Sequence, residues 1–364
     1  GAAFSTLAGS SGAVTFRDTN TLSLSGGMAT GNGAVALTVE AAPLTLGSTV
    51  NAGNSTVSLT TNELTVSAAV TGNGGITIAP FTATTTVGLA TGGGTLSLDD
   101  TEIGFLASTG IVTVGSASAG DLATSALNLS AESFGLTLTS GAAIDVGGVT
   151  MAANRPLSTS AVGTTAFTGV VTASGTGSVS ITSGGAVTQT QEIITPTLTL
   201  AGAGTFTLTD PDNNAGTLSG TGAGSKSYRD ADALTVSGLS TSNADITLNT
   251  GGLLTLTGAV AAGSGDVFIT AAGVTTSGGT VSGDNLALAG TGTFGLGGAN
   301  NMATLEAGVT GVLTYNDTNG FTVAGTGIST AGNNATLSTT AGGLAINQPI
   351  SLGAGTLTLN TAGA

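Results

Sequence analysis

The sequence AGAGTFTL at residues 201–208 returns 88 residues later as AGTGTFGL at residues 289–296. Downstream of it, YRDADALTV at residues 228–236 returns 87 residues later as YNDTNGFTV at residues 315–323. A related copy of this second motif, FRDTNTLSL, stands at residues 16–24. Because self-similarity at a fixed period is the signature of a repeat architecture, the sequence predicts a repeating unit of about 88 residues.

A shorter period lies inside this unit. Apolar-x-apolar triplets begin at Val35, Val57, Ile76 and Leu96, so they recur at a spacing of about 20 residues. A spacing of about 20 residues that holds two or three short strands is typical of one coil of a parallel β-helix. One coil cannot bury its own Leu, Val and Ile side chains, whereas coils stacked about 4.8 Å apart bury them on one another. We therefore predict an all-β fold, a right-handed parallel β-helix (solenoid) with four coils in each unit.

The predicted domain organisation is a single solenoid over residues 1–364. Repeat units lie at roughly 201–288 and 289–364, a partial related copy lies at 1–60, and more divergent coils occupy 61–200. The chain starts within a unit, near Ser5 and Thr6, and ends within one, near Gly363. Because uncapped solenoid ends expose unpaired strands, we expect either end-to-end association or an excised fragment.

The composition excludes several classes of function. The chain has 364 residues, with 62 Gly, no Cys, no His and a net charge of −15. Without His or Cys, serine–histidine triads, cysteine nucleophiles and histidine metal sites cannot form. Four scattered basic residues cannot neutralise a row of phosphates, so nucleic acid is not an expected partner. No run of 18 apolar residues is present, so we predict no transmembrane helix and no membrane insertion.

The first residues indicate processing. The chain opens with Gly1-Ala2-Ala3 and has neither an initiator Met nor a signal peptide. We therefore expect a processed or excised piece of a longer protein. The lack of Cys suits large exported proteins, which cross membranes unfolded.

Three acidic clusters are the candidate sites for a bound cation or for catalysis by paired carboxylates. They are Asp99/Asp100/Glu102, Asp210/Asp212 and Asp230/Asp232. Carboxylates bind Ca²⁺ and act in pairs in glycosidases. The favoured alternative is that they cap turns, since DPDNN at residues 210–214 suits a turn at every position. We predict no catalytic residue, no metal ligand and no cofactor, and we leave Ca²⁺ at these turns open.

Three further patterns have competing interpretations. The sequence GTGTFG at residues 290–295 matches the dinucleotide fingerprint, but no βαβ context surrounds it, so a chance match among many glycines is favoured. The pairs Thr84/Thr86 and Thr188/Thr190 are compatible with an ice-binding face, but coil lengths vary, so exposed strand positions are favoured. The sequence DDTEIGFLA at residues 99–107 has cap-like acids followed by apolar residues three apart, which predicts one short helical turn.

An aromatic residue recurs at Phe16, Tyr228 and Tyr315, and each is followed two residues later by Asp. The favoured interpretation is an aromatic plug that packs at a fixed corner while the Asp accepts hydrogen bonds from turn amides. The alternative is a lateral contact between neighbouring shafts.

The coil pattern resembles that of very large bacterial surface proteins of the filamentous haemagglutinin type. The resemblance rests on the order of four sequence stretches, namely ITIAP (76–80), TVGL (86–89), GTLSLDDTEI (94–103) and IVTVG (111–115). The stretches DITLNTGG (245–252) and GDVFIT (265–270) are also similar to the coil pattern of these proteins. It implies a secreted or outer-surface right-handed β-helix that serves as an adhesive or structural shaft.

The expected function is a structural or adhesive shaft of a secreted or cell-surface bacterial fibre, and the chain is not expected to be an enzyme. The expected partners are further copies of the chain, joined end to end or laterally, or host and cell-surface glycans. A polysaccharide-binding or polysaccharide-lyase type of β-helix is the alternative. The recurring unit favours the shaft, because a catalytic groove needs one arrangement of residues that does not repeat.

Overall fold

The computed structural model shows an all-β chain whose strands are short, parallel and stacked. It describes residues 2–4, 7–8, 12–40, 42–90 and 93–362. The predicted boundary residues Ser5, Thr6 and Gly363 lie outside this range. Contacts divide the chain into two compact units, Gly1–Thr195 and Pro196–Ala364, and each unit is a β-solenoid.

The first unit contains the only described α-helix and most of the two- to six-residue strands. Its elements are β1 (Ala2–Phe4), β2 (Leu7–Ala8), β3 (Val14–Asp18), β4 (Leu22–Leu24), β5 (Met28–Ala29), β6 (Val35–Val39), β7 (Leu44–Leu46), β8 (Val50–Asn51), β9 (Thr56–Thr60), β10 (Leu64–Val66), β11 (Val70–Thr71), β12 (Gly75–Ala79), β13 (Val87–Leu89), β14 (Leu96–Leu98), α1 (Asp100–Ile103), β15 (Leu106–Ala107), β16 (Ile111–Gly115), β17 (Leu122–Thr124), β18 (Leu127–Leu129), β19 (Gly135–Ser140), β20 (Ile144–Val146), β21 (Val149–Met151), β22 (Leu157–Ala161), β23 (Thr165–Phe167), β24 (Val171–Thr172), β25 (Val179–Ser183) and β26 (Val187–Gln189).

The second unit has longer strands. Its elements, with β27 starting just before the unit boundary, are β27 (Ile193–Ala201), β28 (Phe206–Leu208), β29 (Asn214–Thr221), β30 (Lys226–Asp230), β31 (Leu234–Ser240), β32 (Ile246–Thr250), β33 (Leu254–Leu256), β34 (Val260–Ala261), β35 (Val267–Ala271), β36 (Val274–Thr276), β37 (Val281–Gly290), β38 (Phe294–Val309), β39 (Leu313–Asp317), β40 (Phe321–Ser329), β41 (Ala335–Thr339), β42 (Leu344–Ile346), β43 (Ile350–Ser351) and β44 (Leu357–Thr361).

Inward side chains of successive coils lie directly on one another. In the first unit, Val35 pairs with Val57 and Val57 with Ile76, and each is at most 1% exposed. Complete burial of one such side chain contributes about 1.5–3 kcal/mol, and alternate residues of each strand point outward to solvent. The prediction of an all-β parallel β-helix with coils of about 20 residues is confirmed. Its right-handed sense stays a prediction that agrees with the usual handedness of parallel connections.

One coil of the first unit is much longer than predicted. Ile76 pairs with Val112, so 36 residues separate these stacked positions, and the predicted step from Ile76 to Leu96 is wrong. Leu96 pairs instead with Val87, which also pairs with Leu122 on its other side. The extra residues therefore place a second strand in the same sheet, followed by α1, before the chain returns to the regular path.

We predicted that the sequence repeat of the second unit equals four coils, and this prediction is wrong. Starting from Tyr228, four successive coil partners are Leu248, Ile269, Leu288 and Ala307. These four coils end at Ala307, before the equivalent tyrosine is reached, and the residues between Ala307 and Tyr315 carry the chain to the next strand. Tyr315 therefore stacks on Leu296, and its strand β39 continues the ladder of β31, whereas Tyr228 lies in β30. One sequence repeat therefore covers four complete coils and also the part of a fifth coil that leads to its next strand.

Candidate functional sites

The acidic cluster at residues 99–102 forms the cap of the predicted helical turn, and α1 confirms that turn. The Asp99 Oδ1 atom accepts a hydrogen bond from the Glu102 N–H at 2.8 Å, and Glu102 Oε2 accepts one from the Asp99 N–H at 3.0 Å. Glu102 Oε1 accepts a third from the Val66 N–H at 3.0 Å. This reciprocal capping box, together with the bond to β10, ties the inserted segment to the preceding coil.

The other two clusters also hold turns. Asp210 Oδ1 accepts from the Asp212 N–H at 3.0 Å, as predicted for a turn. Asp232 Oδ2 accepts from the Asn214 side-chain amide at 2.9 Å. Among the described residues, no group of three or more acidic side chains is placed to hold a metal ion. Ca²⁺ at these turns stays an open prediction.

Tyr228 and Asp230 form a buried hydrogen-bonded pair. Both side chains are 1% exposed, and the Tyr228 hydroxyl donates to Asp230 Oδ2 at 2.9 Å. The same oxygen accepts from the Ala215 N–H at 2.8 Å, and Oδ1 accepts from the Asp232 N–H at 3.0 Å. One carboxylate thus satisfies three donors, which makes its burial tolerable.

The second repeat builds the same arrangement. The Tyr315 hydroxyl donates to Asp317 Oδ2 at 2.8 Å, and that oxygen also accepts from the Met302 N–H at 2.9 Å. At the third motif, Phe16 has no hydroxyl, and Asp18 Oδ1 keeps the turn bond from the Asn20 N–H at 3.0 Å. Both tyrosines are buried plugs, as predicted, and their burial makes a lateral contact through these two residues wrong. The prediction of one fixed corner is wrong, because Tyr228 and Tyr315 lie in different ladders of the coil.

Burial sets the ionisation of this pair. It raises the pKa of the Asp230 carboxyl, while the N–H groups of Ala215 and Asp232 act in the opposite direction. Burial, together with the nearby Asp230 charge, raises the pKa of Tyr228 far above its ordinary range. The phenol is therefore a permanent donor and has no acid–base role near neutral pH.

The sequence analysis did not identify Lys226 as a buried residue. Lys226 is fully buried, and its Nζ atom lies 5.4 Å from the centre of the Phe206 ring. Nζ donates to the Gly224 carbonyl at 3.3 Å. Lys226 begins the alternation of Lys226, Tyr228 and Asp230, so its spacing from the buried tyrosine was the signal that it points inward.

Replacement of Lys226 by Met is expected to stabilise the second unit by about 1–3 kcal/mol at neutral pH. Burial lowers the pKa of Lys226, so the unfolded chain binds this proton more strongly than the folded chain. The stability of the wild type therefore rises with pH from the lowered pKa up to the ordinary value, and that part of the rise is absent in Lys226→Met. Urea unfolding between pH 7 and pH 10 measures both effects. Arg229→Met on the exposed face of the same strand is the control, and an equal gain in both variants contradicts the assignment.

The glycine-rich match at residues 290–295 is a junction between strands. Gly290 ends β37 with a φ of 141°, and Phe294 begins β38. A side chain at Gly290 would place its Cβ atom 1.8 Å from the Ala271 carbonyl oxygen. No helix follows, so the chance-match interpretation holds and the glycines serve close coil stacking.

The threonine pairs do not occupy the positions we predicted. Thr84 lies in a turn with a φ of 62°, and Thr86 precedes β13. Thr188 lies in β26, but Thr190 follows that strand. Only Thr188 is therefore an outward strand residue.

Comparison with known proteins does not assign the chain to a family. No protein-family model matches the sequence, and neither the curated proteins nor the solved structures contain a match. Among the described residues, no helix is long and apolar enough to cross a membrane.

Proposed function

We propose that this chain is a structural or adhesive shaft segment of a secreted or surface-displayed bacterial fibre, and that it is not an enzyme. The observation that supports this most is the unbroken stacking of buried side chains in each unit. Inward positions of consecutive coils are almost all apolar and fully buried, so the interior is filled and each coil supports the next. Such a structure gains length by adding coils and keeps its cross-section.

The prominent polar groups have structural partners, which fits a shaft. The carboxylates of Asp99, Asp210 and Asp230 accept backbone N–H groups in their own turns. The repeated Tyr–Asp arrangement occurs in two copies, whereas catalysis needs a single arrangement of reacting groups. The proposal of a bacterial surface location rests on the resemblance of the coil pattern described above.

Removal of one whole coil tests the shaft function. Ile246 and Val267 are stacked equivalents, so deletion of residues 246–266 lets Val267 occupy the place of Ile246 on Lys226. We expect this variant to fold and to unfold cooperatively with a midpoint close to that of the wild type. Deletion of residues 251–260, about half a coil, shifts the register and is expected to abolish folding of the second unit. Circular dichroism with thermal unfolding is the measurement.

Two outcomes contradict the proposal. One is that deletion of residues 246–266 prevents folding as completely as deletion of residues 251–260. The other is that the wild type binds or cleaves a polysaccharide and the coil deletion removes that activity. Incubation with neutral and acidic polysaccharides, followed by chromatography of the products, detects cleavage.

A groove on the second unit is the observation that favours polysaccharide binding as the second candidate function. Phe268 is 37% exposed there, and the small side chains of Ala287 and Ala289 follow on the next coil. Glu306 closes the groove, and its Oε2 atom accepts from the Thr326 N–H at 2.8 Å and hydroxyl at 2.9 Å. The first of these bonds lowers the pKa of Glu306, and the carboxylate is thereby held in the groove two coils from Phe268. Saturable glycan binding that Phe268→Ala removes would support this candidate.

A further inference from the structure

The widest sheet of the first unit carries two outward rows of mostly small side chains, the majority of them Thr or Ser, and one of the rows is continuous. We call this surface the wide face, formed by β3, β6, β9, β12, β16, β19, β22 and β25. One row is continuous in register over all eight strands and consists of Thr15, Ala36, Ser58, Thr77, Thr113, Thr137, Ser158 and Ser180. The second row consists of Arg17, Thr38, Thr60 and Ala79 on the first four strands and of Thr139, Ser160 and Thr182 on the last three. It is interrupted at β16, where Gly115 is buried and is not paired with Ala79. Variation in coil length is absorbed outside these strands, so the first row stays in line.

The wide face is almost free of charge in an acidic chain. The first unit has ten acidic residues, all within its described part, and none lies in either row. Arg17 is the one charged side chain in the two rows, and it pairs with Glu40. Two copies of a chain with a net charge of −15 repel each other. That repulsion is weakest where the wide faces approach.

The two edges of the wide face differ in charge. The edge that follows its strands carries the carboxylates of Glu40, Glu63 and Asp121, of which Glu63 and Asp121 are exposed. The edge that precedes them carries the side-chain amides of Asn54 and Asn73, together with one carboxylate, Glu132, and one guanidinium, Arg155. Asn54 and Asn73 lie on consecutive coils, and the Asn73 amide reaches Asn54 Oδ1 at 3.5 Å. The following edge is thus acidic, whereas the preceding edge is close to neutral, because the charge of Arg155 offsets that of Glu132.

We propose that the wide face is the surface by which a second copy of this chain packs side by side, with the two solenoids parallel. A two-fold axis along the stacking direction places the acidic edge of one copy against the amide edge of the other. A two-fold axis along the strands would place acid against acid. Rows of small side chains with the same spacing let two flat sheets approach closely. This inference rests on the proposed shaft function and names the partner of its surface.

The size of the face sets the strength of the contact. Eight strands about 4.8 Å apart, each five residues of about 3.3 Å, make a surface of about 34 Å by 17 Å. Roughly 600 Å² per partner is below the 800 Å² or so of a standard interface, so the dimer is weak. Association is therefore measured by sedimentation up to a protein concentration of about 1 mM.

Charges placed at the centre of the face test the proposal. Thr113 and Thr137 are partners on adjacent coils, and the double variant Thr113→Asp/Thr137→Asp is expected to raise the dissociation constant at least tenfold. The matched control is Thr45→Asp/Thr65→Asp, which adds the same charges to partners on the neighbouring sheet. The control is expected to stay within twofold of the wild type. Equal weakening by both variants, or no weakening by the first, overturns the proposal.

The orientation has its own test, because the natural chain has no Cys. Glu63→Cys and Asn54→Cys lie at opposite edges of the same coil. Parallel packing predicts disulfide-linked heterodimers when the two variants are mixed, and few homodimers of either. Homodimers alone overturn the parallel orientation. A wild type that stays monomeric at about 1 mM overturns lateral packing, and the shaft function then still stands if deletion of residues 246–266 leaves a folded protein.

Discussion

Replacement of Gly290 by Ala is expected to destabilise the second unit by about 3 kcal/mol or more. The φ of 141° at this residue is unfavourable for any residue with a side chain. The added Cβ atom would also lie 1.8 Å from the Ala271 carbonyl oxygen, so the two coils would have to separate. Both tyrosines of the chain, Tyr228 and Tyr315, lie in this unit, so tyrosine fluorescence during urea unfolding follows it selectively.

Gly308→Ala is the matched control for this prediction. Gly308 lies in β38, next to the partner of Gly290, and a Cβ atom there would meet no atom within 4 Å. The free energy of unfolding of Gly308→Ala is expected to stay within about 0.5 kcal/mol of that of the wild type. Equal losses in Gly290→Ala and Gly308→Ala would show that close stacking of the coils at Gly290 is not what requires glycine.

Replacement of Asp230 by Ala is expected to lower the free energy of unfolding of the second unit by about 3 kcal/mol. The reason is that it leaves three buried or half-buried donors without an acceptor. These donors are the Tyr228 hydroxyl and the N–H groups of Ala215 and Asp232. Asp230→Asn keeps one acceptor oxygen and is expected to lose less. Thermal unfolding followed by circular dichroism measures the difference.

Asp212→Ala is the control for the buried carboxylate. Asp212 lies in an exposed turn, and its replacement is expected to change the stability by less than about 1 kcal/mol. Tyr228→Phe removes a single hydrogen bond and is expected to cost about 1 kcal/mol. If Asp230→Ala loses no more stability than Asp212→Ala, the buried hydrogen bonds of Asp230 do not stabilise this turn.

The stacked-coil fold was predictable because two independent patterns agree. Alternation within Val35–Val39 shows which side chains point inward, and the recurrence of that alternation from coil to coil shows what they stack on. Such agreement between local and global patterns is characteristic of repeat proteins. The capping box at Asp99 was predictable for a similar reason, since acids three residues apart satisfy the first turn of a helix.

The departures from regular coiling could not be predicted from these patterns. Leu96-Ser97-Leu98 has the same apolar-x-apolar form as a strand that begins a coil, yet it pairs with Val87–Leu89. Periodicity alone does not distinguish a new coil from a second strand in the same sheet. For the same reason, the sequence could not show that Tyr315 lies one strand further along the coil than Tyr228 does. The length of a sequence repeat does not show how many residues each coil contains.

The candidate sites were predictable where a side chain acts locally. Asp210 and Asp230 bond to N–H groups two residues away, and such turns follow from sequence. The inward direction of Lys226 follows from its alternation with Tyr228 and Asp230, which is also a local pattern. The wide face, in contrast, arises from stacking between coils. It depends on the register between strands, which is known only once the length of each coil is known.

The most direct test of the stacked-coil shaft is a set of methyl–methyl nuclear Overhauser contacts in protein labelled at Ile, Leu and Val. The inward ladder of the first unit predicts contacts between consecutive members of the series Ile76, Val112, Leu136, Leu157 and Val179. Contacts along the whole ladder, including the long step from Ile76 to Val112, are the expected result. Loss of that ladder, with contacts between antiparallel neighbours in its place, would contradict the parallel solenoid and the shaft function proposed from it.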